Sequence, residues 1–145
     1  MKDEKSFEFL EHRADVYIAA YGKDLVEAFE NSAIAMFDVM TDVNRVRPRI
    51  QDNVKVEAED EYALLYSWLE ALLTKFDING MLYSKFKITD LIPASSGFML
   101  SAQIWGEKFN VKRHTQRVGV KAVTYHRMEI LKNPDKVTLK FILDI

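Results

Sequence analysis

The spacing of apolar residues changes period along the chain, and each change marks an element. "SFEFLE" and "VYIAAYG" alternate over short stretches on either side of "HRAD", which reads as strand, short loop, strand, with the second strand ending at Gly22. The period then lengthens. Leu25, Ala28, Phe29, Ser32, Ala33, Met36, Phe37 and Met40 recur every three or four residues and share one helical face. Asp24 supplies an N-cap and Glu27, three residues on, the return bond of a capping box. "NVKVEAE" alternates again as a strand. "DEYALLYSWLEALLTKF" follows as a second helix, apolar around most of its circumference and so expected to be mostly covered. It stops at "DING", where Asn79 or Gly80 takes the left-handed cap conformation.

Beyond Gly80 the patterns are extended: "YSKFKITDLI", "GFMLSAQIWG", "VGVKAVTYHRMEIL" and "KVTLKFILDI", divided by turn residues such as Pro93, Gly97, Gly106, Gly119 and Pro134. Two helices among about seven strands predict an α+β fold. The expectation is a single domain, residues 1–145, whose mixed or antiparallel β-sheet carries both helices on one face. "WGEKFNVKRHTQRVG", the most polar and irregular stretch, is expected to be an exposed excursion or contact surface.

Composition removes several function classes. With 145 residues the chain is long enough for one sizeable core. Twenty basic against 22 acidic side chains give a formal charge of -2, which argues against generic binding to a nucleic-acid backbone, DNA included. There is no apolar run of signal-peptide or membrane-spanning length, so a cytoplasmic protein is expected. The absence of cysteine excludes disulfides, thiolate metal sites and cysteine nucleophiles; any metal must be held by oxygen or imidazole.

No phosphate-cradling glycine loop, nucleophile elbow, dinucleotide fingerprint or pair of zinc-spaced histidines is present, and His12, His114 and His126 are scattered. The carboxylates carry more information. Asp15 stands just before a strand and Asp144 at the end of the last, next to the carboxylate of Ile145. If those strand ends meet, three negative groups gather and a hard cation is the natural remedy. The pattern equally allows Asp144 to lie on a solvated face while Asp15 caps a turn. Lys121, in "VKAVTY", falls by alternation on one face with Val123 and Tyr125; it either snorkels to water or meets a phosphate or an acid. Arg45, Arg47 and Arg49 form a basic cluster that reads as a solvated loop or an RNA contact.

The stretch "FEFLEHRADVYIAAYGKDLVEAFENSAIAMFDVMTD" resembles the N-terminal signature of the archease family, and "LLYSWLEALLTKFD", "IWGEKF", "VKAVTY" and "ILDI" follow in the family's order. The resemblance covers essentially the whole chain. Arg13 departs from it, standing where members usually carry threonine. The resemblance implies an accessory protein for an RtcB-type tRNA-splicing RNA ligase, one that promotes guanylylation and multiple turnover of the ligase and broadens the nucleotides it accepts. It implies tRNA contact only through the ligase. By the same resemblance Asp15, Asp144 and Ile145 bind a divalent metal, calcium in structures with magnesium or manganese as alternatives, and Lys121 is the functional lysine. Two other classes stay open: a protein- or RNA-binding adaptor working through "EKFNVKRHTQR", and a stand-alone metal-dependent phosphate-ester hydrolase.

Overall fold

The computed structural model describes residues 5–12 and 14–145, with Glu11 and His12 described as backbone alone. Its elements are β1 (Phe7–His12), β2 (Asp15–Gly22), α1 (Leu25–Met40), a 3-10 turn (Val43–Arg45), β3 (Ile50–Ala58), α2 (Glu61–Asn79), β4 (Met81–Ala94), β5 (Gly97–Lys108), β6 (Ala122–Asn133) and β7 (Lys136–Asp144). The α+β class and both helices agree with the sequence reading. The expected single sheet does not: the described strands form two antiparallel sheets, ordered β1-β2-β7-β6 and β3-β5-β4. Alternation reports which side of a strand is buried but not which strand lies beside it, so it leaves the number of sheets undetermined.

Both helices contact both sheets. α1 packs on β2 and β7 of the first sheet and on β4 of the second; α2 packs on β6 of the first and on β3 and β5 of the second. The core therefore lies where the helix pair meets the two inner faces, around the fully buried Phe29, Phe37, Trp68, Tyr83 and Phe141. Each such side chain contributes roughly 1.5–3 kcal/mol by leaving water. Trp68 also spends its one polar atom here, donating from Nε1 to the carbonyl of Phe29 at 3.0 Å and so tying α2 to α1. α2 is less covered than its composition suggests, because Tyr62, Glu70, Thr74, Asp77 and Ile78 remain exposed.

Local chemistry sets the ends. The Glu27 N–H donates to Asp24 Oδ1 at 2.9 Å, while Glu27 Oε1 accepts from the N–H of Lys23, one residue before the cap, at 2.7 Å. α2 closes at Gly80 with φ of 68°, a left-handed conformation that costs an L side chain energy and glycine almost none. At Gly106 a Cβ would stand 1.8 Å from the Leu82 carbonyl oxygen, so only glycine lets β4 and β5 approach at this point. No helix among the described residues is long and apolar enough to cross a membrane.

Candidate functional site: an acidic strand end

β2 and β7 pair antiparallel without a register shift from Gly22↔Val137 to Asp15↔Asp144. Val16, Ile18 and Ala20, opposite Leu143, Phe141 and Leu139, are buried, so the intervening residues share the outer face of the sheet. Asp15 and Asp144 are the last row of that face. Directly opposed residues place their Cβ atoms about 4.5–5.5 Å apart. The third residue of the row is Ala122 of β6, whose single methyl leaves the flank of Asp144 open. Asp15 is half-buried and Asp144 exposed, and neither joins an ion pair among the described residues. The Ile145 side chain packs against the core, and the carbonyl of Asp144 accepts the Lys121 N–H at 2.7 Å, which fixes the end of β7.

The structure thus brings together two of the expected residues by register and the third by succession. Asp15 and Asp144 supply two side-chain carboxylates, hard oxygens of the kind that suits calcium, magnesium or manganese. Two opposed acids without a counter-charge repel one another, and a cation between them would relieve that repulsion. Among the described residues no group of three or more His, Cys, Asp or Glu side chains is arranged to hold a metal ion. The His12 side chain and Arg13 lie outside the described residues.

Lys121 is not a strand residue with apolar face-mates. β6 begins one residue later, Val123 is buried, and Lys121 is exposed beside the acidic row, tied to it through its backbone. Further along β6 the register jumps from Thr124↔Ile142 to Glu129↔Lys140, so that Tyr125, His126, Arg127 and Met128 stand opposite Phe141 alone. This bulge holds Arg127 at φ of 57° and lays its guanidinium over the Tyr17 ring, 4.3 Å from the centroid, one row from the acidic pair. On the other side it stacks Tyr125 on Tyr66 of α2, centroids 4.5 Å apart and planes 6° from parallel. Nothing in a single strand's alternation marks such a bulge.

The stretch expected as an exposed excursion is irregular and largely exposed, as at Lys108, Val111, Lys112, Thr115 and Gln116, but it is also fastened down at its Glu107, His114 and Arg117 positions. Glu107, buried at the end of β5, accepts from both terminal nitrogens of Arg113 at 3.0 and 3.1 Å and from the Arg47 N–H at 2.9 Å, and it meets His114 Nε2 at 2.8 Å. His114 Nδ1 accepts from the Asn110 N–H at 2.9 Å, so Nε2 is the protonated nitrogen that donates to Glu107. Burial on its own would raise the Glu107 carboxyl, but the hydrogen bonds from Arg113, Arg47 and His114 outweigh it and hold the pKa at about 2. Further along, the N–H groups of Arg117 and Val118 donate to the Met40 and Val39 carbonyls, and Arg117 pairs with Asp38 at 3.2 Å. The arginines of "EKFNVKRHTQR" are therefore bound internally. Sequence reasoning missed this hub, although a glutamate seven residues from a histidine in an otherwise basic run was its trace. Arg45, Arg47 and Arg49 have exposed side chains in the connection into β3, as the solvated-loop reading expects.

The comparisons with known proteins cover nearly the full chain. Residues 7–145 match the model of the Archease protein family (MTH1598/TM1083). The chain is 44% identical over 141 residues to Protein archease of Sulfurisphaera tokodaii, covering 97% of this chain and 99% of that one. It is 41% identical to Protein archease of Sulfolobus acidocaldarius, covering 96% and 98% respectively. In structure it is similar to the solution structure of Methanobacterium thermoautotrophicum protein 1598, with a TM-score of 0.84 at 41% identity over 97% of this chain and 99% of that chain.

Proposed function

The chain belongs to the archease family, and from that premise we propose that it is an accessory protein of an RtcB-type tRNA-splicing RNA ligase, one that promotes ligase guanylylation and multiple turnover. It acts in the cytoplasm as an activator, not as the ligase, it meets tRNA through the ligase, and it broadens the nucleotides the ligase accepts. The observation that carries the reading is the Asp15↔Asp144 row at the open end of the first sheet, with Ile145 next in the chain and Lys121 tied to Asp144 by its backbone.

In this reading Asp15 and Asp144 offer their carboxylates, and Ile145 its main-chain carboxylate, as a three-oxygen seat for a divalent cation. Calcium, magnesium or manganese there supplies neutralisation of nucleotide phosphate charge when bound. The row projects from a strand end rather than from a cleft, so it suits insertion into a partner's site. Pairing with β2 and β6 on either side of β7 keeps the Asp144 backbone rigid. Exposed Lys121 neutralises a phosphate or an acidic group at the same end. Among the described residues, which leave out the His12 side chain, no general base or nucleophile shares a pocket with the row.

The test is ligation of split tRNA by limiting ligase with GTP and manganese, with no addition, with this protein, and with its Asp144→Ala variant. Multiple turnover with the unaltered chain and single turnover with the variant are expected. Equal stimulation by both removes the acidic row from the mechanism, and no stimulation by either removes the activator role.

A further inference from the structure

The second sheet has an outer face that the acidic tip does not use. Its inner face is core, with Leu100, Ala102 and Ile104 of β5 buried. The alternate residues point away, and the register sets them in rows across β3, β5 and β4: Gln51, Trp105 and Lys85 in one, Asn53, Gln103 and Lys87 in the next. Lys55 stands in the third row, with Asp90 on the far strand, and Glu57 one row further. Of the two tryptophans, Trp68 is fully buried in the core, while Trp105 is half-exposed on this face with Lys85 Nζ 4.6 Å from its ring centroid.

The charge here runs against that of the molecule. The chain carries a net -2, yet the first three rows hold three exposed lysines against one carboxylate, and none of the three forms an ion pair among the described residues. Lys75, by contrast, is held by Asp52. Lys85 and Lys87 are two residues apart on one strand face, about 6.6 Å, a separation of the order of that between successive phosphates in an extended single strand. Gln103 of β5 and Asn53 and Gln51 of β3 continue these rows away from the lysines; the Gln51 amide donates to Asn53 Oδ1 at 2.8 Å and to the Asp52 carbonyl at 3.0 Å, which leaves the Gln103 amide and the Asn53 NH2 group to meet a ligand.

We propose that this face binds single-stranded RNA: Trp105 stacks on an unpaired base, Lys85, Lys87 and Lys55 neutralise the phosphates beside it, and the Gln103 amide and the Asn53 NH2 group meet base edges and 2′-hydroxyls. An aromatic platform of this kind needs a base free of its own stack, so a duplex is disfavoured. The choice of RNA over DNA follows from the amides, since a 2′-hydroxyl offers them a donor and an acceptor. The proposal goes beyond ligase activation and its test needs no ligase, so the two fail separately.

The experiment titrates the full chain with a ten-nucleotide unstructured RNA at 50 and 200 mM salt, following tryptophan fluorescence. Buried Trp68 provides the constant background and Trp105 the signal. Saturable quenching that weakens at higher salt is expected. Trp105→Ala should lose the quenching and bind about tenfold or more weakly by a tryptophan-independent method such as anisotropy of labelled RNA. Lys85→Ala/Lys87→Ala should flatten the salt dependence by about 1.4 log units per log unit. Circular dichroism confirms that both variants fold. Absence of saturable binding at 50 mM salt, unaltered binding by both variants, or equal affinity for a duplex or for single-stranded DNA of the same sequence would each overturn the proposal.

Discussion

Replacing Glu107 by glutamine should destabilise the protein in a manner that depends on pH, because the carboxylate is the centre of the buried hub that fastens residues 109–121. Its side chain is 8% exposed, and its pKa of about 2 compares with an ordinary 4.5. That difference corresponds to roughly 3 kcal/mol of stability at neutral pH. The main partner, Arg113, is 34% exposed, so solvent screening reduces the expectation to about 2 kcal/mol. The sign follows from the direction of the shift. A carboxyl whose pKa is depressed by folding stabilises above its unfolded value and loses that contribution as pH falls through the folded one. The gap between the unaltered chain and Glu107→Gln should therefore be full at pH 7, begin to close near pH 4.5, and fall below half by pH 3. Urea titrations followed by tryptophan fluorescence, run in parallel at pH 7, 5 and 3, measure it. Using the difference between the two proteins cancels the other depressed carboxylates, Asp52 and Glu8. A gap that is the same at pH 7 and pH 3, or below about 0.5 kcal/mol throughout, would refute the account of the hub as a charge-assisted clamp.

Other expectations follow from single contacts. Gly106→Ala forces a methyl onto the Leu82 carbonyl, and should cost about 3 kcal/mol or more in a denaturant titration; a loss below 1 kcal/mol would mean that β4 yields easily. Asp24→Ala removes the cap on Glu27 and should cost about 1 kcal/mol, with a lower thermal midpoint and no change in ligase activation. Asp15→Asn should weaken calcium or manganese binding by calorimetry at least tenfold while leaving the unfolding midpoint in metal-free buffer within about 0.5 kcal/mol; an unchanged affinity would remove Asp15 from the seat. A short extension after Ile145 should abolish ligase activation, whereas one before Met1 should be tolerated, both read in the split-tRNA assay.

The sequence was informative wherever a local rule applied. The face of α1 from Ala28 to Met40, its cap at Asp24 and the left-handed Gly80 follow from spacing and are as expected, and β7 is a strand as expected, although Thr138 and Ile142 on its second face are buried too. What spacing cannot carry is the identity of a neighbour. The split into two sheets, the opposition of Asp15 and Asp144 and the bulge at Tyr125–Met128 depend on pairings between distant segments. The hub failed for a different reason. Glu107, Arg113 and His114 look like solvated polar residues in a one-dimensional string, and burial becomes favourable only because each satisfies another. The roles of Lys121 and Ile145 came from the family resemblance.

The order of the first sheet bears on how the protein must be made. β2 lies between β1 and β7, so one of its edges waits for a partner that leaves the ribosome more than a hundred residues later. At bacterial-to-eukaryotic elongation speeds this interval is roughly 6–20 s, long compared with the time a hairpin or a helix needs to form. During it the nascent chain presents an open hydrogen-bonding edge on the strand of Val16, Ile18 and Ala20, a template for adhesion to neighbouring chains until β7 emerges. The same strand closes that edge and delivers Asp144, so a product released before β7 keeps an open edge and lacks one half of the acidic row.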